Sequence, residues 1–149
     1  MNYKEALNRC MYLCSKKEYC QSEIVSKLSE LEVPESIIAK VLEALITEKF
    51  VDDYRFSIAF THDKFNFNHW GKIKIRFQLK QKKLPSDIIQ QALEGINEQE
   101  YQRVILEEIK KKKKIVKGQS EFEKKGKIAR TIIAKGFEPE LVFNLLKMD

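Results

Sequence analysis

Apolar residues recur along the chain in three similar segments, residues 33–42, 84–93 and 137–146, which are offset by 51 and then 53 residues. Each segment starts with an apolar residue and a turn of proline or acidic residues, and apolar positions follow at i, i+1, i+4 and i+5. Proline fits the first turn of a helix, and this spacing places the apolar side chains on one face. Each segment therefore predicts a short amphipathic helix.

Two further helices precede each of these segments. Apolar pairs four residues apart predict the nearer helix of each copy, at Ile24 and Leu28, at Ile75 and Leu79, and at Ile128 and Ile132. The more distant helix is predicted at residues 6–15, 55–65 and 102–112.

This order predicts an all-α fold of three tandem three-helix repeats that resemble helix-turn-helix hairpins. The predicted repeats cover residues 1–52, 53–99 and 100–149. Because one repeat buries too little apolar surface to be stable alone, we expect neighbouring repeats to stack into an elongated body. We expect this body to be a monomer.

The predicted helix starts contain residues that suit a helix N-terminus. Cys20 lies three residues before Glu23, where a capping box has Ser or Thr, and Gly71 is the aligned residue of the second repeat. Lys124 is the aligned residue of the third repeat and is a poor cap. Asp52 and Asp53 precede the first helix of the second repeat, where acidic residues cap and stabilise a helix.

Composition supports a helical, soluble protein. The 149 residues are 43% hydrophobic and 34% charged, with only 5 Gly and 3 Pro. The scarcity of glycine disfavours nucleotide-binding folds, which need it where the backbone approaches phosphate. No stretch of about 18 apolar residues predicts a membrane span, and the first residues lack the apolar core of a signal peptide. We expect the protein to be cytoplasmic, with reduced thiols.

Candidate chemical groups favour a protein that is not an enzyme. Cys10, Cys14 and Cys20 lack Cys-x-x-Cys spacing, and the two histidines lie far from them in sequence, so we expect no metal site and no cofactor. Asp52 and Asp53 have no partner motif for acid–base chemistry. We interpret them as helix caps, with an ion pair to Arg55.

Positive charge is concentrated towards the end of the chain. The predicted repeats have net charges of −2, +3 and +5, which together give the +6 of the whole chain. Such a balance favours a polyanionic partner or an acidic protein surface, and a solvated lysine-rich helix face is the alternative.

A basic stripe is predicted on the second helix of the second repeat. The stripe consists of residues spaced at i, i+4, i+8 and i+11, namely Lys72, Arg76, Lys80 and Lys83, and Lys74 and Lys82 widen it. Phe65, Phe67 and Trp70 lie just before this helix, and aromatic side chains beside a basic stripe can stack on bases or anchor a partner. Burial in the core is the alternative for each ring.

A second basic cluster is the run Lys110, Lys111, Lys112, Lys113 and Lys114. Five adjacent like charges suit a sequence-independent contact with a phosphate backbone, and a solvated helix end is the alternative. Arginine is scarce, so the sequence offers no pattern for reading base edges.

The segment 50–60, which reads FVDDYRFSIAF, resembles the hallmark of the RecX family of bacterial recombination regulators. The family pattern is an apolar pair, Asp-Asp, any residue, Arg-Phe, and then Ala and Phe, and it falls here on Asp52, Asp53, Arg55 and Phe56. Matches at Gly71, Ile75, Leu79 and Lys82, and in the segment 22–28, extend the resemblance over most of residues 5–95. We expect Phe50, Phe56 and Phe60 to hold the junction between the first two repeats.

The resemblance implies a regulator that binds the RecA recombinase, lies in the groove of the RecA–DNA filament, and inhibits ATP hydrolysis and strand exchange in DNA repair and the SOS response. The basic residues of both clusters would then contact RecA or single- or double-stranded DNA without sequence specificity. Two alternatives remain. One is a nonspecific DNA-binding helix-turn-helix module that acts without RecA, and the other is an interaction protein whose lysine-rich faces are only solvated.

Overall fold

The computed structural model describes residues 1–148, and the regular secondary structure in this part of the chain consists of helices without strands, which confirms the predicted all-α class. Its nine helices are α1 (Tyr3–Lys16), α2 (Gln21–Glu30), α3 (Glu35–Thr47), α4 (Asp53–Asn66), α5 (Lys72–Gln81), α6 (Ser86–Glu94), α7 (Glu98–Ile115), α8 (Glu121–Ala134) and α9 (Pro139–Met148). In residues 1–148 no helix combines the length and low charge needed to cross a bilayer.

The helix starts follow the sequence prediction in the first two repeats. Cys20 and Gly71 directly precede α2 and α5, and Asp52 directly precedes α4. The Cys20 amide donates a hydrogen bond to Glu23 Oε1 at 3.1 Å, which is one half of a capping box.

The third repeat differs from the predicted alignment. Its second helix, α8, starts before Lys124, because Ser120 provides a better cap and accepts a hydrogen bond from the Glu123 amide at 3.1 Å. As a result α8 has 14 residues, whereas α2 and α5 have 10 each.

The chain forms two compact units, and the second predicted repeat contributes to both of them. The first unit contains residues 1–60 and 79–89, and the second contains residues 61–78 and residues 90 onward. The repeat boundaries at 52 and 99 and the elongated body therefore remain predictions.

The first unit has its core where α1, α2 and α3 meet. Ala6, Cys10, Ile24, Leu28 and Leu45 are fully or almost fully buried there. Phe50 is half-buried and packs against this cluster. Phe56 is buried in the same unit and stacks on Phe60, with ring centroids 5.7 Å apart.

The second unit has a core of larger side chains. Tyr101 and Phe137 are fully buried with their ring centroids 5.3 Å apart, and Phe65 lies 5.7 Å from Tyr101. Ile105 and Ile128 complete this core from α7 and α8.

The N-terminus of α5 is fixed within the second unit by backbone contacts with the turn between α8 and α9. The Gly71 amide donates to the Lys135 carbonyl at 2.8 Å, and the Ile73 amide donates to the Gly136 carbonyl at 2.9 Å. These bonds satisfy amide groups that the start of a helix leaves free, and they orient Lys72 and Lys74.

Candidate basic binding surface

The Asp-Asp-x-Arg-Phe segment has a structural role. Asp52 caps α4, because its Oδ1 accepts the Arg55 amide at 3.0 Å, as the sequence predicted. Asp53 instead reaches the start of α2, where its Oδ1 accepts the Gln21 amide at 2.9 Å.

The ion pair of Arg55 differs from the sequence interpretation. Its guanidinium pairs with Glu18 at 2.7 Å, and the same group donates to the carbonyls of Lys49 and Phe50 at 3.1 and 3.3 Å. The expectation that Arg55 pairs with the adjacent aspartates was wrong, because Glu18 accepts its Nε while Asp52 is used as a cap. The hydrogen bond to Glu18 raises the pKa of Arg55. Arg55 therefore joins the segment after α3 to the start of α4.

The predicted basic stripe is only partly free. Lys72, Arg76 and Lys80 lie on one face of α5, but α5 ends at Gln81. Lys83 is therefore not on this helix face; it occupies the following turn with φ of 62°.

Lys72 is held inside the second unit. Its Nζ lies 3.5 Å from Glu98 Oε2 and 4.6 Å from the centroid of the Tyr101 ring, and its side chain is 21% exposed. The Lys72 amide donates to the Tyr101 hydroxyl at 2.9 Å, and this hydroxyl in turn donates to Glu138. Burial and the bond to Glu138 raise the pKa of Tyr101. Lys72 consequently has little freedom to bind a partner.

Lys74 and Lys64 contact the single tryptophan. Their ammonium groups lie 4.4 and 4.9 Å from the centroid of the half-buried Trp70 ring. Phe65 is buried and Phe67 is exposed, so the rings before α5 divide between the core and the surface.

Lys82 is also paired. Its Nζ lies 2.8 Å from Glu23 Oε2, and its carbonyl accepts the Ser22 hydroxyl at 2.6 Å, so the turn after α5 is tied to the start of α2 within the first unit. By contrast, Lys80 and Lys83 are exposed and have no carboxylate partner in residues 1–148. Arg76 is half-buried, and its guanidinium lies 3.4 Å from Gln90 Oε1.

The structure adds two lysines that the sequence analysis missed. A groove of about 660 Å³ in the first unit is lined by Lys17, Lys27, Lys82 and Lys83 among others. The ammonium groups of Lys17 and Lys27 lie 4.8 and 5.6 Å from the centroid of the Tyr19 ring. Their positions in separate segments hid this proximity, since nothing in their spacing indicates a shared face.

The lysine run occupies the last turns of α7, within the second unit. Lys110, Lys111, Lys113 and Lys114 are exposed and Lys112 is half-buried. This placement at a helix C-terminus is favourable for cations.

Glu108 is buried two residues before this run. Lys135 donates to its Oε1, and His69 Nδ1 lies 3.6 Å from the same atom. Burial alone would raise the pKa of Glu108, but the bond from Lys135 and the charges of Lys135, His69 and Lys111 hold it below its ordinary value.

The three cysteines form no disulfide. Cys10, Cys14 and Cys20 are free thiols, and burial raises the pKa of each. Within residues 1–148, no three His, Cys, Asp or Glu side chains are grouped so that they could hold a metal ion.

Two family models match the chain. The model for "RecX, first three-helix domain" matches residues 6–45, and the model for "RecX, second three-helix domain" matches residues 52–93.

Full-length relatives are similar over most of the chain. The "Regulatory protein RecX" of Prosthecochloris aestuarii is 30% identical over 139 residues, which cover 93% of this chain and 89% of that protein. The protein of the same name from Clostridium acetobutylicum is 30% identical, with 98% and 69% covered. For the relative from Geobacillus thermodenitrificans the identity is 28%, and the chain spans 52% of its length.

Solved structures share the fold. A crystal structure of regulatory protein RecX superposes with a TM-score of 0.88 at 23% identity, covering 99% of this chain and 72% of that chain. The crystal structure of RecX from Lactobacillus salivarius gives a TM-score of 0.87 at 18% identity, with 98% and 95% covered.

Proposed function

Because the chain belongs to the RecX family, we propose that it is a non-enzymatic regulator that binds the groove of the RecA–DNA filament and inhibits RecA ATPase and strand exchange. One observation carries the proposal beyond family membership. Within residues 1–148, Lys80 and Lys83 in the first unit and Lys110 and Lys114 in the second have no carboxylate partner, so their charge is available to a polyanionic or acidic partner.

We assign the contact to the exposed part of the predicted basic set. Lys80 and Lys83 serve in the first unit, and Lys110, Lys111 and Lys114 of the lysine run of α7 serve in the second. Lys72, Lys74 and Lys82 support the surface by holding α5 and its turn in place, since their ammonium groups already contact carboxylates or aromatic rings.

Several weak contacts suit an assembled filament. One exposed ion pair contributes about 0–1 kcal/mol. Contacts that are linked on one chain add their effects, and release of counterions from DNA makes the sum depend steeply on salt.

The experiment measures ATP hydrolysis by RecA in the presence of single-stranded DNA and increasing amounts of this protein. We expect hydrolysis to fall as the protein is added, and to recover as salt is raised. An unchanged rate at concentrations well above that of RecA would contradict the proposal.

Nonspecific DNA binding without RecA is the second candidate, and the lysine run of α7 favours it. It predicts salt-sensitive binding to DNA in the absence of RecA, and an unchanged rate of ATP hydrolysis by RecA. A chain that affects neither DNA nor RecA would instead be an interaction protein with solvated lysines.

We also propose that the protein acts as a monomer in the cytoplasm. Light scattering at micromolar concentration should give a mass close to 17.6 kDa. A dimeric mass would contradict the monomer.

A further inference from the structure

The strongest charge in the chain lies at one end of the α7–α8 helical hairpin. We call residues 110–127 the lysine hairpin; they include nine lysines and two glutamates, for a net charge of +7. The remainder of the chain is close to neutral. The lysine hairpin lies wholly in the second unit.

The two glutamates of the lysine hairpin are already engaged. Glu123 accepts the Gln119 amide at 3.2 Å and lies 3.3 Å from Lys127 Nζ, and these contacts lower its pKa. Glu121 lies 3.7 Å from Lys124 Nζ. Lys110, Lys114 and Lys125 have no carboxylate partner in the described chain, so the positive charge of this region is not cancelled locally.

The loop of the lysine hairpin has a defined conformation. Lys127 Nζ donates to the Lys117 carbonyl at 2.6 Å, which ties the loop to α8. Ser120 caps α8, and Phe122 follows in the first turn of that helix. The Phe122 ring is therefore presented from an ordered helix start.

Phe122 is 90% exposed, and Ile115, at the end of α7, is 69% exposed. Leaving the Phe122 ring in water forgoes the free energy that its burial by a partner would provide. Because the ring lies within a lysine-rich segment, the two together fit a nucleic-acid contact of stacking and charge. The ring offers a π-face, and the lysines offer charge for phosphates.

We propose that the lysine hairpin binds single-stranded nucleic acid, with lysines on the phosphates and the Phe122 ring stacked on a base. This inference rests on the DNA contact in the proposed function and specifies the kind of nucleic acid and the residues that bind it. Stacking requires a base that is not enclosed in a duplex, so the Phe122 ring favours binding of single strands. The lysines contact phosphates and bind single strands and duplexes equally well.

An anionic membrane is the less suitable partner. Five consecutive lysines, at about 100° per residue, point to all sides of the end of α7. A helix that lies in a membrane interface needs a continuous apolar face, and this turn has none.

The test measures binding to a labelled oligo-dT and to a duplex of the same length by fluorescence anisotropy, without RecA. We expect Phe122→Ala and Phe122→Leu to weaken single-strand binding about five- to tenfold, and Phe122→Trp to retain it, because only an aromatic ring stacks. Duplex binding should stay within about twofold of the wild type for all three variants.

Phe143→Ala is the matched control, because Phe143 is also an exposed phenylalanine of the second unit, on α9, at 48% exposure. It should leave both affinities unchanged. Circular dichroism of each variant should match the wild type.

A direct readout comes from Phe122→Trp, whose added indole emission should be quenched by oligo-dT beyond the change seen for Trp70 in the wild type. The proposal is overturned if the wild type does not bind oligo-dT, if Phe122→Ala binds it equally well, or if single-strand and duplex binding fall together. Full binding of oligo-dT by Phe122→Leu would overturn the stacking and show an apolar contact in its place.

Vesicle sedimentation distinguishes a membrane from nucleic acid. If the protein sediments with phosphatidylglycerol vesicles, Phe122→Ala does not, and oligo-dT binding is unchanged, the surface binds a membrane. Because RecA is absent throughout, failure here is separate from failure of filament inhibition.

Discussion

The side chains of Asp52, Asp53 and Arg55 complete hydrogen bonds that helix ends leave open. Each of the two aspartates accepts an amide at a helix start, and Arg55 donates to carbonyls at the end of α3. The cap at Asp52 was predictable because it spans three residues. The Asp53–Gln21 and Arg55–Glu18 contacts join residues 32 and 37 positions apart, and local spacing carries no signal for them.

Phe56 provides a direct test of core packing at residue scale. Phe56→Ala should lower the free energy of unfolding by about 3–5 kcal/mol, because the ring is buried and stacks on Phe60. Tyr54→Ala, at an exposed position of the same helix, should change it by less than about 1 kcal/mol. Equal melting temperatures for wild type and Phe56→Ala would show that the ring is not buried.

Glu108 should make stability depend on acid pH. Its pKa in the folded state lies below the ordinary value of 4.5, so its stabilising effect is complete above about pH 4.5 and is lost as pH falls through the folded value. Glu108→Gln should cost about 1–3 kcal/mol at pH 7, because the charged bond to Lys135 is lost.

Chemical denaturation of both proteins between pH 7 and pH 3 measures this effect. The difference in unfolding free energy between wild type and Glu108→Gln should narrow below about pH 4.5. A difference that stays constant over this range would show that the carboxylate is not linked to folding.

At the scale of helices, the sequence predicted every helix of the described chain, and the apolar spacing supported the second and third helix of each repeat. Helix ends were harder to predict. α8 starts directly after its cap Ser120, since a local cap outweighs the alignment of repeats, and Lys83 lies outside α5 because the helix ends in a left-handed turn. The lysine pairs with Glu98 and Glu23 depend on packing between helices, and the charge pattern did not indicate them.

Replacing each of two glycines by alanine should have opposite effects on the stability of the second unit. Gly136 has φ of +99°, and an added Cβ would lie 2.7 Å from the Lys74 amide nitrogen, so Gly136→Ala should destabilise by about 2–4 kcal/mol. Gly126 lies inside α8 with ordinary contacts, and Gly126→Ala should stabilise by about 0.5–1 kcal/mol.

Thermal melts of the two variants check this pair of predictions. A higher melting temperature for Gly126→Ala and a lower one for Gly136→Ala are expected. Tolerance of Gly136→Ala would show that α5 does not approach the turn so closely.

At the scale of the whole molecule, the sequence predicted the class of fold, the excess of positive charge and the family. It overestimated the accessible basic stripe, because charge counting treats each lysine as free. The structure divides the lysines into those that hold helices together, such as Lys72 and Lys82, and those that have no carboxylate partner among residues 1–148, such as Lys80 and Lys83. We therefore propose that the lysines without carboxylate partners in residues 1–148 form the contact with the filament.

The measurement that tests this claim most directly is inhibition of the RecA single-strand-dependent ATPase by two matched charge reversals. One variant is Lys80→Glu with Lys83→Glu; the other is Lys4→Glu with Lys40→Glu, at exposed positions on α1 and α3 of the same unit. Both lower the net charge from +6 to +2, so only the position of the charge differs. We expect the first variant to need at least about tenfold more protein for half-inhibition, since two reversed contacts of about 1 kcal/mol each are lost, and the second to inhibit like the wild type. Equal inhibition by both variants would contradict this claim.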